Sequence, residues 1–136
     1  EIGNRKGFKM GYRSDVVLAV GKEIMPHFMA ALSRNEAASK MVFDPAYRDD
    51  LIKDYQGEGN MLIRWSGVKW YEGYEDIDAI QAFVNDPSDF GPETVGDEGT
   101  AVWDCFKFVR IGEEPDDIQT DGGGFWDIYV ERSITY

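Results

Sequence analysis

Sixteen aspartates and glutamates lie between Glu72 and Asp127, against two basic residues, Lys107 and Arg110, which makes a net charge of −14 in 56 residues. Two groups stand out by spacing. Glu72, Glu75, Asp76 and Asp78 crowd the start of a stretch with helical periodicity, and Glu113, Glu114, Asp116, Asp117 and Asp121 fill a connection rich in glycine and proline. Carboxylates at this density can attract a basic protein, imitate a phosphate backbone, hold a divalent cation or work as an acid-base pair. Backbone imitation requires rows of charge on a rigid face, since duplex DNA carries one charge per ~1.7 Å. A solvated surface that only keeps the domain in solution is the plainer reading of the same residues.

The other chemistries have less material. The Asp116, Asp117, Asp121, Gly122 run lacks the alternating oxygen ligands and the twelfth-position Glu of a calcium loop, so no metal site is expected and the loop reads as flexible and solvated. Nothing in the linear order separates a catalytic carboxylate pair from so many surface acids, and no catalytic residue is assigned. His27, the one histidine, reads as a helix-surface or boundary residue; Cys105, the one cysteine, reads as an inert buried thiol in an apolar strand. Gly122-Gly123-Gly124 is not followed by Lys-Ser/Thr and precedes a strand pattern, so it reads as a turn and not a phosphate loop. No cofactor is expected.

The aromatic residues Trp70, Tyr71 and Tyr74 stand directly beside the first acidic group, with Trp65 upstream. Trp70 and Tyr71 point to opposite faces of a regular strand, so one is exposed or both are buried between sheet and helices. Exposed, they would add stacking to charge in gripping an Arg-rich partner.

These groups need elements to position them. The other 80 residues hold ten acids and twelve bases, so all of the −12 total comes from the acidic segment. A length of 136 residues with 43% hydrophobic and 14% aromatic content predicts one folded domain with a sizeable core and no need of a disulfide. Residues 1–9, with Arg5, Lys6 and Lys9, read as a disordered upstream extension or a leftover from expression, with a short ordered arm as the alternative, and residues 10–136 as the domain. Val16, Leu18 and Val20 alternate in a first strand closed by Gly21. Lys22 to Arg34 changes to helical period with Pro26 in its first turn, Glu36 to Phe43 continues helical, and Tyr47, Leu51 and Tyr55 suggest a further short helix ended by Gly57 and Gly59. Met61 to Tyr71 reads as a strand whose apolar parity switches at Ser66-Gly67, as a bulge would cause. Glu75 to Asn85 is a helix with acids at its positive end. A surface loop spans Asp86 to Gly99. Two strands follow, about Ala101 to Ile111 and Phe125 to Ile134, the second with Trp126, Ile128 and Val130 on one face. The order predicts an α+β fold: a mainly antiparallel sheet of about four strands with two to three helices on one face.

Three segments, M-G-Y-R-S-D-V from Met10, V-K-W-Y-E-G-Y-E-D-I-D-A-I from Val68 and F-V-R-I-G-E-E-P-D-D-I from Phe108, resemble small acidic proteins encoded by bacteriophages and prophages. They cover about a quarter of the chain. The resemblance implies a genomic setting and no catalytic residues; the single cysteine, with no signal-like start, reads as cytosolic. Small acidic phage proteins of this look often act by occupying a nucleic-acid-binding surface of a host enzyme, as anti-restriction and anti-CRISPR proteins do, and that analogy sets the expectation.

The expectation is therefore a non-enzymatic binding protein that engages a basic surface of a host protein, a nucleic-acid-binding defence enzyme among the candidates. Its charge would come from Glu72, Glu75, Asp76, Asp78, Glu113, Glu114, Asp116 and Asp117, and its anchors would be Trp70, Tyr71 and Tyr74. Direct contact with nucleic acid or an anionic membrane is not expected, because both require Lys and Arg to replace counterions, and no apolar run approaches a membrane span. The alternatives are a small-molecule, nucleotide or divalent-metal domain with weak hydrolase activity, and a virion structural or assembly protein.

Overall fold

The computed structural model describes residues 11–131 and 133–136; the extension read at residues 1–9 lies outside them. Strand β1, Ser14–Val20, is the centre of a five-stranded antiparallel sheet. It pairs with β3, Asn60–Val68, on one side and with β6, Phe106–Ile111, on the other. Each neighbour carries its own hairpin partner to the sheet edge: β2, Asp50–Tyr55, beside β3, and β7, Ile118–Asp121, beside β6. A central strand is covered on both faces, which is why β1 reads S-D-V-V-L-A-V with five apolar residues in a row.

One face carries the helices α1, Met25–Leu32, α2, Glu36–Phe43, and α3, Glu75–Asn85. Val16, Leu18, Val20, Ile63, Trp65, Phe106 and Phe108 meet Phe28, Leu32, Val42, Ile80 and Phe83 there in one core. The Phe28 and Phe83 rings lie 5.0 Å apart, and Phe83 meets Phe106 at 5.6 Å. Asn35 breaks the helical run between α1 and α2 by accepting a 2.9 Å hydrogen bond from the Ala38 N–H, so a second helix starts on its own cap. Pro26 stands in the first turn of α1, where no backbone donor is needed.

The opposite face is covered by the last residues of the chain. Ile128 lies against Val17, Ala19, Leu62, Val109 and Tyr55, with Phe125, Val130 and Ile134 at the margin. These belong to a loop and a small hairpin, β8, Tyr129–Glu131, with β9, Ser133–Thr135, which is separate from the main sheet. A second small hairpin, β4, Thr94–Val95, with β5, Thr100–Ala101, lies in the loop after α3.

The fold is α+β with helices on one face of an antiparallel sheet, as the element order predicts, but several elements differ, among them the strand read over about Ala101 to Ile111, which is a 3-10 turn over Val102–Cys105 before β6. The segment read as a short helix over residues 46–55 holds β2, because Gln56, Gly57 and Gly59 take positive φ values of 62°, 69° and 80° and turn the chain into a hairpin. The acidic connection after β6 contains β7. The stretch from Phe125 to Ile134 is not one strand: Phe125 has φ +50°, and the chain turns there, leaving Trp126 86% exposed and Ile128 1% exposed. The parity switch at Gly67 is a bulge. Ser14 pairs with Val68 but Val16 pairs with Trp65, so β3 carries one residue more than β1, with Gly67 at φ +61°. Asp15 accepts a 2.9 Å hydrogen bond from the Gly67 N–H, and Asp49 one from the Ser66 N–H, which holds the bulge from both sides.

Candidate functional site

After the bulge, β3 ends and the chain crosses to α3 through Lys69 to Tyr74. Trp70 turns inward. Its ring sits 5.3 Å from Trp65 and 5.7 Å from Phe108, and its indole N–H donates to Gln81 Oε1 at 3.2 Å. Tyr71 and Tyr74 pair with each other at 5.3 Å, and Tyr74 is exposed. The Trp70 indole is therefore fixed against the sheet while the tyrosines stand at the surface.

Paired residues of an antiparallel sheet share a face, and Val16 pairs with Arg110, which pairs with Gln119. Since Val16 belongs to the helix-side core, Arg110 and Gln119 point to the helix side as well. Between them and α3 lies a groove of about 1010 Å³. Trp70, Tyr71, Glu72, Tyr74 and Asp78 form one wall with Gln81 and Asn85; Tyr12 and Ser14 of the β1 end, Arg110, Asp117 and Gln119 form the other.

That second wall is a closed polar cluster. Arg110 donates from Nη2 to Asp117 Oδ1 at 2.8 Å, and from Nη1 to Asp117 Oδ2 at 3.1 Å and Ser14 Oγ at 3.0 Å. Its Nε donates to Gln119 Oε1 at 3.3 Å, and the Tyr12 hydroxyl donates to Asp117 Oδ2 at 2.6 Å. Burial, and then the bond to Asp117, push the Tyr12 hydroxyl above the usual tyrosine value. Asp117 is therefore a buried structural carboxylate, not the exposed contact residue read from its position in an acidic run. The loop holding it is pinned as well. Glu113 accepts from the Arg13 N–H at 2.6 Å, Tyr12 Oη accepts from the Glu114 N–H at 3.3 Å, and the Gly112 N–H donates to the Asp117 carbonyl at 2.8 Å. The expectation of a flexible solvated loop is corrected on these bonds.

The structure thus gathers Trp70, Tyr71, Glu72, Tyr74, Asp78 and Asp117 around one groove and leaves Glu75, Asp76, Glu113, Glu114 and Asp116 outside its lining. Several of these acids also hold local structure. Asp78 accepts from the Gly73 N–H at 3.0 Å, Glu75 from Asn35 Nδ2 at 3.4 Å, and Asp76 from the Ile77 N–H at 2.8 Å. Glu72 is exposed at the groove. Arg110, Tyr12, Gln81, Asn85 and Gln119 were not singled out from the sequence. The signal for Arg110 was present, because one of only two cations in a dense acidic run is readily claimed by a neighbouring carboxylate.

No protein-family model matches the chain, and no curated protein or solved structure matches it either.

The remaining reactive side chains sit elsewhere. His27 is buried at 3% exposure, not at a helix surface; its Nε2 donates to the Pro92 carbonyl at 2.8 Å, and Gly91 packs so closely on the ring that a Cβ there would overlap it. Cys105 is buried, in a 3-10 turn ahead of β6 and not in a strand. Burial above all, then the nearby Glu23 and Asp104 carboxylates, push its thiol above the usual value, so the thiolate is disfavoured. Among the described residues, no three His, Cys, Asp or Glu side chains gather as metal ligands, and no helix is long and apolar enough to cross a membrane.

Proposed function

We propose that this protein is a non-enzymatic binding module whose groove takes a basic, aromatic-compatible segment of a protein partner. The observation that carries the reading is the pairing of walls: Trp70, Tyr71 and Tyr74 stand with Glu72 and Asp78, while Arg110, the one cation lining the groove among the described residues, is already neutralised by Asp117. The groove therefore presents aromatic faces in a negative field. An Arg or Lys side chain entering it gains stacking of about 0.5–2 kcal/mol on a ring, together with charge attraction that salt weakens. Shape supports the same reading, because the aromatic wall is anchored at Trp70 and the opposite wall is cross-braced, so little ordering is needed on binding.

The finer reading follows from the resemblance to phage proteins: the partner is a host protein with a basic surface, a nucleic-acid-binding defence enzyme being the candidate. The test is capture of partners by the purified chain at low and raised salt, followed by affinity measurement for what elutes. Glu72→Lys combined with Tyr74→Ala changes two exposed groove residues and leaves the core untouched. The expected loss is tenfold or more, since truncating one aromatic anchor costs about 2 kcal/mol. An affinity insensitive both to salt and to this double substitution would sink the proposal.

A further inference from the structure

β7 is one of the two edges of the main sheet. The Gly112 N–H donates to the Asp117 carbonyl at 2.8 Å, which makes that facing pair the hydrogen-bonded kind. Facing pairs alternate along an antiparallel ladder, so Gln119 and Asp121 turn their N–H and C=O groups toward β6, while Ile118 and Thr120 turn theirs outward. The Asp116 carbonyl takes the Ile118 N–H at 3.1 Å. Among the described residues, the Ile118 carbonyl and both backbone groups of Thr120 are left open to a further strand. The other edge, β2, is blunted in the usual ways, by Lys53 and by a break in register between Ile52 and Tyr55. β7 has neither lysine nor proline, and its register with β6 is unbroken.

This edge belongs to the groove. Gln119 lines it, and Asp121 points to the same side, because it pairs with Phe108 of the helix-side core. Ile118 and Thr120 point to the other face, with Val109, and both are exposed. The charge here is negative: Glu113, Glu114 and Asp116 precede the strand and Asp121 ends it. The cations of the neighbourhood are engaged or directed elsewhere. Arg110 is held by Asp117, and Lys107 shares the face of Ala19, opposite the groove. Arg13 donates to the Gly67 carbonyl on the β3 side of β1, and Lys69 follows β3 in the chain. A second copy of this chain, at −12, is repelled by the same field.

We infer, building on the binding reading above, that the partner's basic segment enters as an extended strand hydrogen-bonded antiparallel to β7, with Arg or Lys on alternate residues facing the groove and apolar residues between them lying against Ile118. The antiparallel direction continues a sheet in which every pair runs that way. A residue directly opposite Thr120 shares its face, so the apolar residues present their N–H and C=O groups to the open edge and the cationic residues turn theirs to solvent.

The experiment uses the full chain and a short labelled peptide alternating Arg and Val, with binding read by fluorescence anisotropy. Two further peptides of the same charge carry backbone N-methyl groups on every valine or on every arginine. Methylated valines should weaken binding at least about tenfold, because the bonds to the Ile118 and Thr120 carbonyls are lost, and methylated arginines should stay within about twofold of the unmodified peptide. Thr120→Pro removes an outward N–H, which an edge strand tolerates, and should weaken the unmodified peptide about fivefold without lowering the melting temperature. If that variant does melt early, the methylated peptides decide alone, since they act on the unaltered chain. Equal binding of all three peptides, equal loss with both methylated sets, loss confined to methylated arginines, or unchanged binding by a folded Thr120→Pro would overturn the inference. The groove reading is then judged separately, by whether Glu72→Lys with Tyr74→Ala weakens the unmodified peptide. An unmodified peptide that fails to bind also overturns the strand inference, and the salt-released partner decides the groove reading. A concentration-dependent dimer dispersed by Thr120→Pro would overturn it in favour of a second copy as the occupant.

Discussion

Asp116 and Asp117 are adjacent in sequence and chemically identical, yet the structure predicts opposite consequences for removing them. The Asp117 carboxylate accepts bonds from Arg110 Nη2 at 2.8 Å, Arg110 Nη1 at 3.1 Å and the Tyr12 hydroxyl at 2.6 Å. The Arg110 and Asp117 side chains are 16% and 9% exposed. Asp117→Ala leaves the guanidinium without its counter-charge in a mostly dry site. Breaking a fully buried pair from one side costs about 3–5 kcal/mol, and the residual exposure of Arg110 argues for the lower end, about 3 kcal/mol. For a chain of this size that lowers the melting temperature by about 10 °C. Asp116→Ala, on an exposed side chain, costs less than about 0.5 kcal/mol, or roughly 2 °C. Arg110→Met with Asp117→Leu removes both charges at once and should lose less than Asp117→Ala alone. Thermal melting followed by circular dichroism on the four proteins decides it. Asp117→Ala melting within about 2 °C of the unaltered chain would refute the view that this carboxylate is structural.

Two further outcomes follow from burial. Tyr12 and Tyr55 both have hydroxyls pushed above the usual value, chiefly by burial, so the unfolded chain loses those protons first. Their contribution is complete below about pH 10 and is lost as pH rises beyond it, with Cys105 acting in the same direction from about pH 8.5. Denaturant midpoints measured across that range should fall, and Tyr12→Phe should flatten part of the fall. Ile128→Ala should cost about 2–5 kcal/mol by opening the core under the second sheet face, whereas Trp126→Ala should stay within about 0.5 kcal/mol; urea titration of both variants checks it.

Much of the helix side was legible in the sequence because periodicity reports burial directly. Val16, Leu18 and Val20 alternate on a strand with one face against helices, and Ile77, Ile80, Phe83 and Val84 make the buried stripe of α3. The two edge strands escaped for the opposite reason. An edge strand needs few apolar residues: Ile118-Gln119-Thr120-Asp121 carries one, and it is exposed. In the other, Tyr47, Leu51 and Tyr55 fall four apart by coincidence, and the glycines that turn a hairpin are the same residues that end a helix. Alternation placed Trp126 beside Ile128 because it has no means of registering the turn at Phe125. Of the groove, the acidic and aromatic types were visible, but their assembly was not. Glu72 and Asp117 meet across one cleft only because β6 pairs beside β1, a contact that no local pattern encodes.

The central place of β1 has a kinetic consequence. β2 with β3 and β6 with β7 are each closed by a short connection, so each pair can form from neighbouring sequence without waiting for the rest of the chain. β1 is made first and has no local partner; it must be captured between two hairpins whose sequences lie about 40 and about 90 residues downstream, at a loop-closure cost that grows with those separations. Until then the two hairpins present open edges that can pair with each other or with another molecule. The native order is reached when β1 enters between them, which makes its insertion the step on which productive folding and aggregation diverge.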